Sequence, residues 1–329
     1  MNRSGLLLLV LLPLLGALFS LSLLVGQVWL APGEVWHELF QPRPGLAALI
    51  VTELRMPRAV LACLVGASLG LSGAVLQGLT RNPLAEPGLL GVTAGAALGA
   101  VIAIYFGMTA LFEFTGPLMG LAGALGASAL TFALGRRGGT ITLILAGAAV
   151  SGLAGACISL ALNVAPSPYA AYEIMTWLMG SLSDRSWNHV VLILPFVVLG
   201  CAMLAYTARA LDALSLGEAQ AQSLGIDLDR LRILAILGTA LAVGAATSVT
   251  GAIGFVGLIA PHMIRPFVGH QPSRILLPAT LLGAILLLSA DIATRLIHIG
   301  PELKIGVLTS LIGTPFFFWL VVRLRKVAP

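Results

Sequence analysis

The chain has 329 residues, 58% of them hydrophobic and only 9% charged, with a mean hydropathy of +1.02. A typical soluble domain carries roughly 25% charged residues, so the composition excludes a water-soluble globular enzyme and points to a polytopic membrane protein. The formal charge of +5 comes from 16 Arg and 2 Lys against 13 acids, which suits loops on an anionic membrane surface and carries no nucleic-acid signature.

In chain order, "MNRSGLLLLVLLPLLGALFSLSLLVG" comes first. Its apolar run exceeds the roughly 7 to 15 residues of a signal core and lacks an A-x-A site, which predicts a retained helix over 5–26. A crossing needs about 20 apolar residues. Cutting at charged or Pro/Gly-rich breaks predicts nine more spans, over 58–79, 89–107, 115–135, 141–163, 190–208, 233–251, 253–268, 275–298 and 305–323, with 253–268 poorly delimited. "PYAAYEIMTWLMGSL" from Pro168 is too short and too polar to span and is expected to be an interfacial helix. Cys63, Cys157 and Cys201 sit far apart in apolar runs, as small hydrophobes rather than a disulfide or metal site. The reading is all-α, one transmembrane domain over 1–329.

An even number of spans places both termini on one side. With them cytoplasmic, twelve of the 18 basic residues face inward, as the positive-inside rule asks. Arg43, Arg55, Arg58, Arg185, Arg295 and Lys304 are left outside. Arg55 and Arg58, in "TELRMPRAVLACLV", also precede a span at the helix end where the dipole mildly disfavours a cation. They require another cause. Small residues recur at helical spacing, in "GASLG" and at Gly91, Gly95 and Gly99, which lets backbones approach closely within the chain. "RNPLAEPGLLG" and "GAIGFVGLIAPHMIRP" interrupt helices. Such backbone survives at membrane depth only where protein or a water-filled path covers it, so a translocation path is expected.

No energy source is visible. A P-loop needs a lysine after glycine, and neither Lys304 nor Lys326 has one. An ion-coupled carrier needs intramembrane acids. Asp291 is the one good candidate, and Arg295 four residues on offers it a structural ion pair. The polar stretch "LDALSLGEAQAQSLGIDLDRLR" is long for a chain so sparing of polar residues, and is read as a docking surface for a soluble partner. Within it, Ser215 and Glu218 match a capping box and Gly225 a helix stop, predicting a helix of about two turns. His262 reads as a structural histidine; His189 and His298 lie near the outer interface without evident partners.

"NPLAEPGLLGVTAGAALGA", "LGEAQAQSLGI", "GAIGFVGLIAPHMIR", "LLPATLLGAILLLSADIATR" and "PELKIGVLTSLIGTPFFFWLVVR" together resemble the FecCD permeases of bacterial ABC importers, which carry ferric siderophores, haem and cobalamin. The resemblance runs from about Trp29 to Arg325. It implies a type II ABC importer permease in the bacterial inner membrane, without cofactor or enzymatic activity of its own. The implied partners are a second permease subunit, identical or paralogous, two cytoplasmic ATPases that hydrolyse the ATP, a periplasmic substrate-binding protein, and membrane lipid. Carried over residue by residue, Arg55, Arg58 and Arg295 match the outward arginines that meet acids of the binding protein. Asn82, Leu84, Thr140 and Ile141 match a cytoplasmic gate, with Ile141 more hydrophobic than its counterpart in the cobalamin permease. The coupling segment, 212–232, matches the part that sits in the ATPase cleft, with Leu214, Ser215, Leu216, Gly217, Glu218, Gln222, Leu224 and Gly225 as its contact residues. Lys304 departs from the family's usual proline. "GSL-x-x-R-x-W", with Arg185 and Trp187, looks most like the siderophore branch.

Overall fold

The structure is a computed structural model that describes residues 3–26, 28–41, 45–110, 112–136, 138–297 and 302–325. Arg43, Arg137, His298 and Lys326 lie outside the described residues. The described residues form helices α1 (Arg3–Leu24), α2 (Pro32–Phe40), α3 (Leu46–Leu49), α4 (Met56–Thr80), α5 (Val92–Tyr105), α6 (Thr115–Gly135), α7 (Gly139–Asn163) and α8 (Pro168–Leu178). The second half adds α9 (Trp187–Tyr206), α10 (Ala208–Leu214), α11 (Glu218–Ser223), α12 (Leu228–Thr250), α13 (Val256–Val268), α14 (Pro272–Leu296) and α15 (Ile305–Arg325). No strand occurs among them.

Eight helical segments are long and apolar enough to cross a membrane, and α5 and α13 are shorter apolar helices. Together they correspond to the ten predicted spans. At about 1.5 Å per residue, the 14 residues of α5 and 13 of α13 reach only about 20 Å, short of a hydrocarbon core of about 30 Å. Both therefore begin inside the bundle. The expected span at 58–79 is the middle of a longer element: α3, a π-helical turn over Ile50–Arg55 and α4 run on without a break from Leu46 to Thr80. Pro57 directly follows the π turn, at the second position of α4, so the proline and arginines that read as a boundary do not end the helix.

α12, α4 and α14 form the core, and α1, α7 and α15 are the least covered of the long helices; 83% of α12's most apolar window is buried against 17% of α1's. The most extensive helix pairs are α4 with α14 and α5 with α6, and glycine makes both possible. A Cβ on Gly66 would lie 2.4 Å from the Gly283 carbonyl oxygen, and one on Gly283 would lie 2.2 Å from that of Gly66. Gly95 and Gly99 meet the carbonyls of Gly123 and Met119 in the same way. The predicted small-residue packing is thus internal to the chain.

The α12–α13 break is also built as expected. Gly251 has φ +72° and Phe255 φ +67°, and the exposed backbone finds partners, with Ser181 N–H donating to the Thr250 carbonyl at 2.7 Å. The end of α8 closes against it: a Cβ on Gly251 would lie 2.2 Å from the Trp177 carbonyl oxygen.

Candidate functional site

Three groups of residues line up along the bundle. At the end where α1 and α14 finish and α4 begins sits an arginine cluster. Every helix leaves its last carbonyls without intrahelical partners, and α1 is no exception. Two arginines supply them. Arg55 Nη1 donates to the carbonyls of Leu23 (2.7 Å) and Leu24 (2.9 Å), and its Nη2 donates to that of Val28. Arg295 Nη1 donates to the carbonyls of Ser22 (2.8 Å) and Val25 (3.0 Å), and its Nη2 to the Ser22 hydroxyl. The negative end of a helix dipole favours these cations. Here is a cause for arginines that the expected orientation left unexplained: they close a neighbouring helix. Arg55 is 6% exposed, sealed under the turn after α1, where a Cβ on Gly26 would lie 2.7 Å from its Nη2.

Asp291, fully buried, joins the same cluster. Its Oδ2 accepts from Arg295 Nη2 at 2.5 Å and its Oδ1 from Arg58 Nε at 2.8 Å, so the i, i+4 pair expected from spacing forms and gains a third member. Arg58 Nη2 also donates to Glu302 Oε1 at 2.6 Å. Burial pushes the Glu302 carboxyl up, but Arg58, Ser183 and Lys304 outweigh it and hold it below the usual carboxylate range. A cavity of about 600 Å³ opens beside the cluster, lined by Arg55, Arg58, Arg185, Arg295 and Glu302 among others. Burial pulls the Arg185 guanidinium down, against the pull of Asp184; it stands between this cavity and a second of about 340 Å³ that reaches His189 and Lys304. Trp187 Nε1 donates to the Thr52 carbonyl at 2.8 Å and thereby fastens α9 to the π turn. His189 has partners after all: its Nδ1 lies 3.1 Å from the Ser186 hydroxyl and accepts from the Ser186 N–H at 3.3 Å.

Midway, where α5 and α13 begin, lies a cavity of about 760 Å³. Its wall is mostly apolar, with Thr93, Ser310 and Thr314 hydroxyls, the backbone of the α12–α13 break and the Glu86 side chain. Glu86 also accepts a hydrogen bond from the Phe255 backbone, which ties the "NPLAEP" loop to the start of α13. Sequence reasoning singled out that loop for Asn82 and Leu84 and passed over Glu86.

At the opposite end, Asn82 Oδ1 accepts from the Leu84 N–H at 2.9 Å, an Asx turn, and Ile141 is 75% exposed. No hydrogen bond joins the Asn82–Leu84 turn to Thr140 or Ile141 among the described residues. Thr140 instead meets Glu218: its Oγ1 donates to Oε1 at 3.4 Å, and Arg232 Nη2 approaches the same oxygen at 3.3 Å. That geometry overturns the capping box. Ser215 ends α10, with its hydroxyl donating to the Asp212 carbonyl at 2.6 Å, and Gly217 at φ +119° takes the N-cap of α11. The predicted two-turn helix is six residues long. Gly225, at φ +82°, follows it as expected. Asp227 then starts α12, its side chain capping the Arg230 N–H. Leu214 is buried, but Leu216 and Leu224 are 65% and 63% exposed on either side of α11, two apolar anchors on a polar segment. Asp212 accepts from Gln271 Nε2 and Ser273 N–H at 2.7 and 2.8 Å, which pins the segment to the start of α14.

Comparison with known proteins follows the same outline. The chain is 36% identical over 298 residues to the hemin transport system permease protein HmuU of Yersinia pestis, covering 89% of this chain and 84% of that one. It is 40% identical over 309 residues to the vitamin B12 import system permease protein BtuC of Vibrio cholerae, covering 92% and 89%. A solved inward-facing structure of a metal-chelate type ABC transporter superposes with a TM-score of 0.85 at 34% identity, covering 96% of this chain and 98% of that one. The model of the FecCD transport family matches residues 14–323. With that match spanning nearly every helix described above, the chain belongs to the FecCD transport family.

Proposed function

We propose that this chain is the permease subunit of an ATP-driven importer that passes a metal chelate inward across the bacterial inner membrane, with both termini cytoplasmic. The observation that carries the reading is the family match over residues 14–323. Two copies, or this chain and a paralogue, enclose the path; the mid-depth cavity belongs to its wall. An ATPase dimer receives α11 with Leu216 and Leu224, and the ties of Asp212 and Glu218 to α14, α7 and α12 pass its motion to Thr140 and Ile141, which with Asn82 and Leu84 form the inner gate. A periplasmic binding protein docks at the arginine end. Arg55 and Arg295 hold that surface in shape, since their donors are spent inside the chain, and Arg58 offers the reachable charge. Such contacts steer and orient more than they bind.

The cargo is proposed as a ferric siderophore, on the Arg185 and Trp187 signature. A corrin or haem cargo is the second reading, favoured by the 40% and 36% identity to permeases named for vitamin B12 and hemin. A proton-coupled carrier using Asp291 is disfavoured by geometry, because each carboxylate oxygen is held by an arginine and neither meets solvent. Proteoliposomes containing the chain, with and without its ATPase and binding protein, are assayed with labelled ferric chelates, haem and cobalamin. ATP-dependent uptake of one cargo is expected; uptake driven by a proton gradient without the ATPase overturns the proposal.

A further inference from the structure

We propose that Glu302 is a stand-in carboxylate, occupying the Arg58 guanidinium in the undocked permease until an acidic side chain of the extracytoplasmic protein partner replaces it. The inference rests on the reading of this end as the docking surface and adds how its charge is stored. Arg58 holds two carboxylates of opposite character. Asp291 takes its Nε at 2.8 Å, has no solvent exposure and also serves Arg295, so it is fixed. Glu302 takes its Nη2 at 2.6 Å, has 38% of its side chain exposed and lies in the connection between α14 and α15, outside any helix. A side chain there leaves by turning its own torsions, with no helix to unwind.

Charge counting favours an exchange over simple addition. Around the cavity Arg55, Arg58, Arg185 and Arg295 face Asp291, Glu302, Glu53 and Asp184, four against four, so a further acid simply added leaves the site negative, whereas one that replaces Glu302 at Arg58 keeps the balance. Lys304 beside it is the further cation that attracts an acid at a distance, within a screening length of about 8 Å at physiological salt. On arrival, the incoming carboxylate remakes the bond that Glu302 gives up, so Arg58 never stands bare. Glu302 has somewhere to go: Ser183 hydrogen-bonds it and Lys304 attracts it. This gives a use to Lys304, as the residue that receives the displaced carboxylate. Such a contact is worth little energy by itself, which is what exchange requires.

The test uses the full permease with its ATPase in nanodiscs. Arg58 modification by phenylglyoxal, an arginine-specific reagent, is followed by peptide mass spectrometry in the wild type, E302Q and E302A, and docking of the co-encoded binding protein is measured on the same samples at low and high salt. Expected are Arg58 modification at least about threefold faster in both variants and docking tightened about three- to fivefold at low salt, a gain that high salt removes. Unchanged modification overturns the stand-in role whatever docking does. Faster modification with unchanged or weaker docking overturns the exchange, and R58Q then separates the causes: if R58Q docks like the wild type, the docking reading of Arg58 has failed as well.

Discussion

Asp291 gives one carboxylate oxygen to each of two arginines and has no exposed surface, so D291N leaves Arg295 without its carboxylate and Arg58 with Glu302 alone in a buried site. Removing one partner of such a set costs about 3–5 kcal/mol. We expect D291N to lower the thermal midpoint of the detergent-solubilised protein sharply, and an unchanged midpoint would remove the structural role argued for the cluster. Half of this was legible in the sequence. The Asp291–Arg295 pair follows from helix geometry alone, whereas Arg58 arrives from 233 positions away and Arg55 reaches carbonyls about 30 positions behind it. Spacing within one helix cannot show that an arginine on a later helix ends an earlier one. Nor did it show Glu302, since in "PELKIGV" the unusual lysine drew attention and the ordinary acid two places before it did not.

Among the helices, the spans were readable because length and apolarity are local, and their ends were not. The start of the continuous element Leu46–Thr80 was misplaced by 12 residues because arginine and proline mark boundaries in most chains; here the arginines find tertiary partners and the proline directly follows a π turn. The capping box failed for a neighbouring reason: Ser215 and Glu218 have the right spacing, but Gly217 between them turns the backbone and assigns the two side chains to different helices. Glycine at helix contacts was legible and is testable. At Gly283 a Cβ lands 2.2 Å from a backbone oxygen of α4, whereas at Gly152 in α7 it meets nothing within 4 Å. G283L should part the α4–α14 pair and abolish recovery of folded protein, while G152A should match or exceed wild-type stability by about 0.4–1 kcal/mol. Equal behaviour of the two in size-exclusion and melting assays would contradict the close approach.

For the molecule as a whole, the ordering of long and short helices places polar backbone where two short elements begin, and that arrangement was foreshadowed by the glycine- and proline-rich interruptions. The cavities were not, because they depend on which helices face one another. The other end of the bundle carries the whole-molecule prediction. Leu216 and Leu224 are exposed on a segment held to α14, α7 and α12, a costly display of apolar surface unless something covers it. In a background lacking Cys63, Cys157 and Cys201, L216C and L224C should react readily with a water-soluble maleimide in the permease alone and be protected at least about fivefold once the ATPase is bound. Equal labelling in both samples would place the ATPase elsewhere.

The first helix is fastened in an unusual way. Its final carbonyls are gripped by guanidinium groups belonging to the π turn before α4 and to α14, while little of its flank is covered by protein. A helix fastened at its head and bare along most of its flank presents that flank to lipid, so the thickness of the surrounding bilayer bears on it more directly than on the buried α4, α12 and α14.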